Sequence, residues 1–220
     1  MYLSRVELDT KSRSTMAALI APQKFHGAIE SSFPGERRRR LWRLDRLGGK
    51  LYLLLLSEQK PDLTKVAAQF GSGRMPETKE YNSFLQRIQP GSIWQFRLTA
   101  NPTKSRIDPV SHGDKCSLKR GKVQACSTVD FQEMWLRQRA EKHGFILPED
   151  GVTITASRWL HFVKGNSTDR TVSLLSVTYE GVLQVTDVKL FRCLLTEGIG
   201  RGKAYGLGLM TIMHYGGTHG

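Results

Sequence analysis

Gly48-Gly49 followed by Leu51-Tyr-Leu-Leu-Leu-Leu56 limits the fold more than any other stretch of the chain. With Leu41-Trp-Arg-Leu44 before the glycines, it predicts a β-hairpin whose second strand is buried on both faces. Upstream, Tyr2–Leu8 alternates as a strand with Leu3 and Val6 apolar, and Ser12–Ser14 marks a turn or helix entry. A helix starts or restarts at Pro22 and runs to about Ser32, where Pro34-Gly35 ends it. Its apolar stripe is Phe25, Ala28, Ile29 and Phe33. Downstream come a short helix over Pro61–Phe70 and a glycine- and proline-rich loop over 71–91. A strand over Ile93–Ala100 closes the unit, with Trp94, Phe96 and Leu98 on one face.

That order, strand-helix-strand-strand-helix-strand, then repeats. Val123–Cys126 reads as a short strand, and Thr128 caps a helix through His143 with Phe131, Trp135 and Leu136 inward. Val152–Val163 and Thr171–Val185 read as strands around the turn residues Gly165-Asn-Ser-Thr-Asp169. Asp187 caps a helix to about Glu197, and a strand over Leu207–Met213 follows a glycine loop. The expected class is α+β, built of tandem ferredoxin-like (RRM-like) βαββαβ domains. Their expected bounds are 1–100 and 123–220, joined by a basic linker over 101–122. Such a fold hosts many functions and selects none.

Charge narrows the choice. The chain carries 33 Lys+Arg against 20 Asp+Glu, a net +13, and residues 101–127 alone hold 6 basic against 2 acidic groups. A field of that sign attracts polyphosphates before any specific contact forms. Cys116, Cys126 and Cys193 form no C-x-x-C pair, so they support neither a disulfide framework nor a zinc site. No apolar run approaches the roughly 20 residues of a membrane span, and no signal-peptide pattern opens the chain, so a cytoplasmic protein with no membrane partner is expected.

Gly198-Ile-Gly-Arg-Gly-Lys-Ala-Tyr-Gly-Leu-Gly208 combines near-alternate glycines with two cations. Glycine permits positive φ and close approach to a polyanion, and successive amides in such a turn form an anion-binding concavity. The Walker pattern fails, because Ala204 stands where Ser or Thr is required. The dinucleotide fingerprint fails too, because this loop follows a helix and opens a strand. His26 lies off the apolar stripe of its helix, on a side shared with Gln23 and Glu30. Near the first turn it meets the positive end of the helix dipole.

Met1-Tyr-Leu-Ser-Arg-Val, the His26 helix, Phe96-Arg-Leu-Thr-Ala-Asn-Pro-Thr-Lys104 and the glycine loop together resemble the CasE family, over essentially the whole chain. CasE proteins are the CRISPR RNA endoribonucleases of type I-E systems, within the Cas6 superfamily. The resemblance implies metal-independent cleavage of the CRISPR repeat just 3′ of a small hairpin, with no cofactor and no metal site. It also implies retention of the crRNA within Cascade beside other subunits, in a protein that is monomeric alone. By similarity His26 takes the catalytic position. RNA supplies its own nucleophile, the 2′-OH, so a histidine need only move a proton to give a 2′,3′-cyclic phosphate and a 5′-OH. Relatives often carry tyrosine three residues before that histidine, where this chain has Gln23, an amide that cannot act as a proton donor. Lys24, Ser31 and Tyr205 are further candidates for the supporting role.

For RNA binding, Gly198, Gly200, Arg201, Gly202 and Lys203 match the family's backbone clamp. Arg158, Lys164 and Arg170 stand where relatives approach the grooved face of the stem. The basic link (Lys104, Arg106, Lys115, Lys119, Arg120 and Lys122) matches in character, and Arg38 and Arg39 add a second basic run. The aromatic signature of base-stacking RRM sheets is missing, which favours a folded stem read by shape and phosphates. Two alternatives stay open: a non-catalytic hairpin-RNA-binding subunit, and a phosphate-binding enzyme that uses the glycine loop.

Overall fold

The computed structural model describes residues 1–34, 38, 40–106, 122–163 and 171–215. The chain opens with β1 (Tyr2–Leu8), α1 (Arg13–Ile20), α2 (Gln23–Glu30), β2 (Leu41–Leu47), β3 (Lys50–Ser57), α3 (Thr64–Phe70) and β4 (Glu77–Glu80). These strands form one antiparallel sheet in the order β2-β3-β1-β4. The Gly48-Gly49 turn has φ of 55° and 77°, positive at both central residues, which matches the twist of a two-residue hairpin. Leu51, Leu53 and Leu55 pack with Phe25, Ile29 and Phe70 under the helices. Leu54 and Leu56 face the other way, onto the second unit. The expectation of a strand buried on both faces holds.

The rest comprises α4 (Asn82–Gln86), β5 (Ile93–Ala100), β6 (Thr103–Arg106), β7 (Lys122–Ala125), α5 (Val129–Ala140), β8 (Phe145–Ile146), β9 (Val152–Val163), β10 (Thr171–Val185), α6 (Val188–Glu197) and β11 (Met210–His214). The second sheet runs β11-β5-β10, with β8 and β9 also pairing β10. Thr128 Oγ1 accepts from the Phe131 amide, and Asp187 Oδ1 from the Leu190 amide, so both expected helix caps are present.

Tandem ferredoxin-like units are therefore present, but two strands trade places. Ile93–Ala100, expected to close the first unit, opens the second between β10 and β11. The first unit is closed instead by Glu77–Glu80, inside the stretch read as loop, so a division at residue 100 would cut β5 from its own sheet. Four polar residues on a sheet edge show no apolar alternation, and alternation is what sequence patterns detect. Val123–Cys126 does not enter the main sheet: among the described residues β7 pairs only with β6, in a two-stranded ribbon. Phe131, expected inward, is 46% exposed, whereas Trp135 and Leu136 are buried as expected. The last strand starts at Met210 rather than Leu207, because Gly206 and Gly208 still hold positive φ there.

Arg43 on β2 ties the sheets together. Its guanidinium is buried and donates from Nε and Nη2 to the two Asp45 carboxylate oxygens at 2.7 and 2.6 Å. Nη1 donates to the carbonyls of Arg97 and Leu209, at 2.7 and 2.8 Å, and Nη2 to Thr211 Oγ1 at 2.7 Å. All five guanidinium protons are thereby used, three of them on β5, β11 and the residue before β11.

One titration follows from this packing. The turn Glu141–His143 after α5 half-buries His143, and burial, then Arg139 and Lys203, push its pKa below the usual 6.5. The folded state keeps the ring neutral while the unfolded chain protonates near pH 6.5, so unfolding takes up a proton below that pH. This contribution to stability is whole above pH 6.5 and is lost as pH falls towards the folded pKa. His143→Asn is expected to reduce the drop in Tm between roughly pH 7 and pH 5. An identical drop in both proteins would show that His143 does not contribute.

Candidate active site and nucleic-acid interface

Helix α2 begins just after Pro22, whose fixed φ suits a first helical turn. Phe25 anchors it, with ring centroids 5.7 Å from Trp42 and 4.8 Å from Phe70. With that stripe committed to the core, His26 is left half-buried at the boundary. Among the described residues no hydrogen bond, ion pair or ring contact engages the His26 side chain. An unencumbered imidazole at a helix start is free to exchange a proton with a ligand. Gln23, one turn earlier, donates from Nε2 to the Val163 carbonyl at 2.8 Å, tying α2 to the end of β9. Lys24 is exposed. Ser31 caps the far end of α2 and donates its hydroxyl to the Ala28 carbonyl at 2.8 Å, so it is not brought to His26.

The glycine loop packs against the same helix through a 3-10 turn, Lys203–Tyr205. Tyr205 lies 4.8 Å from Phe162, centroid to centroid, and shares a small cleft with Pro22, Trp42, Arg158 and Leu160. Two sequence candidates from distant segments, Arg158 and Tyr205, thus meet beside the α2 entry. The glycines are required by what they touch. A Cβ on Gly206 would lie 2.8 Å from the Trp42 ring at φ +80°, and one on Gly198 2.8 Å from Leu41 at φ +70°. Several amides of the expected anion concavity are already donated: Ile199 N to Gly208 O, Tyr205 N to Gly202 O, and Gly208 N to Thr99 O. Lys203 Nζ donates to the carbonyls of Glu197 and Gly198, at 2.7 and 3.0 Å, and steadies the end of α6.

Residues 1–214 match the family described as CRISPR associated protein. The chain belongs to that family. The CRISPR-associated endoribonuclease Cse3 of Thermus thermophilus is 28% identical over 225 residues, covering 96% of this chain and 99% of the relative. The CRISPR system Cascade subunit CasE of Escherichia coli K12 is 29% identical over 162 residues, covering 73% of each chain. A solved structure of a Cse3 endoribonuclease bound to a 19-nucleotide RNA matches with a TM-score of 0.78 at 26% identity, covering 97% of this chain and 100% of that one.

In this CRISPR-associated protein the predicted basic residues fall into three groups. Arg39, Lys115, Lys119, Arg120, Lys164 and Arg170 lie outside the described residues. Arg106 and Lys122 are register partners in the β6–β7 ribbon. Arg38, Lys104, Arg158 and Arg201 are exposed, and of these Arg38 pairs with Glu58 at 2.7 Å. Arg40, in the same arginine run, is buried against Glu30 and over Phe33, with Cζ 3.9 Å from the ring centroid. Sequence reasoning did not single out Trp159 and His161, exposed on β9 and stacked at 5.9 Å, with His161 Nδ1 3.1 Å from Ser173 Oγ. Their i, i+2 spacing on a strand was the available signal. Among the described residues no group of three His, Cys, Asp or Glu side chains could hold a metal ion, and no helix is long and apolar enough to cross a membrane.

Proposed function

We propose that this protein is an endoribonuclease that cleaves CRISPR repeat RNA 3′ of its hairpin, without metal, and keeps the processed RNA within a Cascade-type complex in the cytoplasm. The observation that carries the reading is the unpartnered, half-buried His26 imidazole on a helix clamped between β9 and the glycine loop. The Cse3 relative, matched over nearly its whole length, is an endoribonuclease by name, and the CasE relative is a Cascade subunit.

The chemistry asks little of the protein. The 2′-oxygen attacks the adjacent phosphorus, the bond from phosphorus to the 5′-oxygen breaks, and a 2′,3′-cyclic phosphate and a 5′-OH result. One proton leaves the 2′-OH and one reaches the 5′-oxygen. His26 moves one of them and water the other, since Gln23 offers only an amide already tied to Val163. Arg158, exposed beside Tyr205, supplies positive charge to the phosphate at the α2 entry.

The test is incubation of the protein with end-labelled repeat RNA in excess EDTA. Cleavage at one position, leaving a cyclic phosphate that resists phosphatase until opened by acid, is expected. A 3′-OH product, or cleavage that stops on chelation and returns with magnesium, would overturn the mechanism. Tight binding with no cleavage would leave an RNA-binding subunit.

A further inference from the structure

We propose that a second cleft, at the Gly200–Arg201 part of the glycine loop, holds one unpaired nucleotide of the bound RNA outside the hairpin. This inference rests on the RNA reading above. The cleft, of about 480 Å³, lies between α5, the start of β6 and the loop. Lys104, Phe131, Trp135, Arg139, Gly200 and Arg201 line it. Its volume falls within the roughly 300–1,000 Å³ of small-ligand sites.

Three features point to a nucleotide. First, the cleft gathers three cations and no carboxylate, and among the described residues none of Lys104, Arg139 and Arg201 has an acidic partner. Elsewhere in the fold Arg5, Arg38, Arg40, Arg43, Arg97 and Arg137 each meet a carboxylate, whereas Arg192 donates only to backbone carbonyls. Arg139 is half-buried, its Cζ 4.3 Å over the Trp135 ring, and it donates only to the carbonyls of Trp135 and Thr103. A partly desolvated guanidinium without an anion is completed by a phosphate, whose oxygens match its fork.

Second, Phe131 is a large exposed ring beside those charges, with Lys104 Nζ 4.4 Å from its centroid. A cation over an exposed ring gains only about 0.5–1 kcal/mol, so the ammonium yields readily to a base and moves to that base's phosphate. Stacking on a ring next to a basic groove is how sequence-tolerant single-strand sites work. Third, Trp135, a lining residue only 3% exposed, carries a buried Nε1 without a hydrogen-bond partner.

The loop connects the two places. Lys203–Tyr205 meets α2, while Gly200 approaches Trp135 so closely that a Cβ there would lie 3.2 Å from its ring. An RNA strand following the loop is held at both places. The Phe131 site takes the unpaired nucleotide, and the stem lies elsewhere.

Fluorescence anisotropy with two RNAs separates the possibilities: a labelled uridine oligomer, and a blunt hairpin of the repeat without flanks. Phe131→Ala is expected to weaken uridine-oligomer binding about 5- to 150-fold, from the stacking of one base. Phe131→Trp should retain the affinity. Arg201→Gln and Lys104→Gln should each lower the log–log salt slope for the oligomer by about 0.7. The blunt hairpin should bind Phe131→Ala and Phe131→Trp as it binds the wild type. Wild type that binds the hairpin, with Phe131→Ala equal to it on the oligomer, would overturn this site and leave the enzyme reading intact. Equal losses on both RNAs would place the cleft in the stem interface and also overturn it. Wild type that binds neither RNA would remove the RNA reading and this site with it.

Discussion

Arg43→Ala is expected to destabilise the protein by about 3–5 kcal/mol, the range for breaking a buried ion pair from one side. The substitution strands the Asp45 carboxylate in a buried position and leaves the carbonyls of Arg97 and Leu209 without their donor. Arg97 Nη1 stands 3.9 Å from Asp45, but the same guanidinium is committed through Nη2 to Glu180 at 2.9 Å, so it compensates only in part. Because the guanidinium spans β2 on one sheet and β5 and β11 on the other, the loss falls on the contact between the units. In a chain of this length, about 2–4 °C of Tm per kcal/mol translates the loss into a fall of roughly 6–20 °C. Urea unfolding followed by circular dichroism measures it. A midpoint shift equivalent to less than about 1 kcal/mol would show that the network is worth no more than a surface pair. Arg43→Lys should recover little, since an ammonium cannot reproduce the fork that reaches both carboxylate oxygens and two carbonyls.

His26→Ala is expected to slow single-turnover cleavage of repeat RNA by about 10²–10⁴-fold, the usual worth of one positioned acid or base. RNA affinity should hold within about threefold, because a half-buried, unpaired imidazole carries little of the binding charge. The measurement is a cleavage rate at saturating enzyme, alongside an equilibrium titration of uncleaved RNA. Wild-type rates would move the active site elsewhere, and a parallel collapse of binding would make His26 a binding residue. Gln23 provides the control. Its amide anchors α2 to the Val163 carbonyl, so Gln23→Ala should slow cleavage less than His26→Ala by loosening the helix against β9.

Local pattern alone was enough for much of this protein. Leu51–Leu56 announced a strand with two buried faces, because a residue's partition between water and core depends mainly on its own side chain. The caps at Thr128 and Asp187 and the off-stripe position of His26 followed from spacing, since helix geometry repeats over a few residues. Partners distant in sequence could not be read the same way. Glu77–Glu80 becomes a strand only because β1 offers it a hydrogen-bonding edge, and Ile93–Ala100 joins the second sheet only because β10 and β11 flank it. Arg43 looks like any other cation until five acceptors drawn from three segments close around it. The glycines of the loop were visible from the first, but not that Leu41, Trp42 and Trp135 are what they must approach. Backbone conformation and burial are encoded near each residue, whereas pairing across the chain is decided by the surfaces that folding brings together.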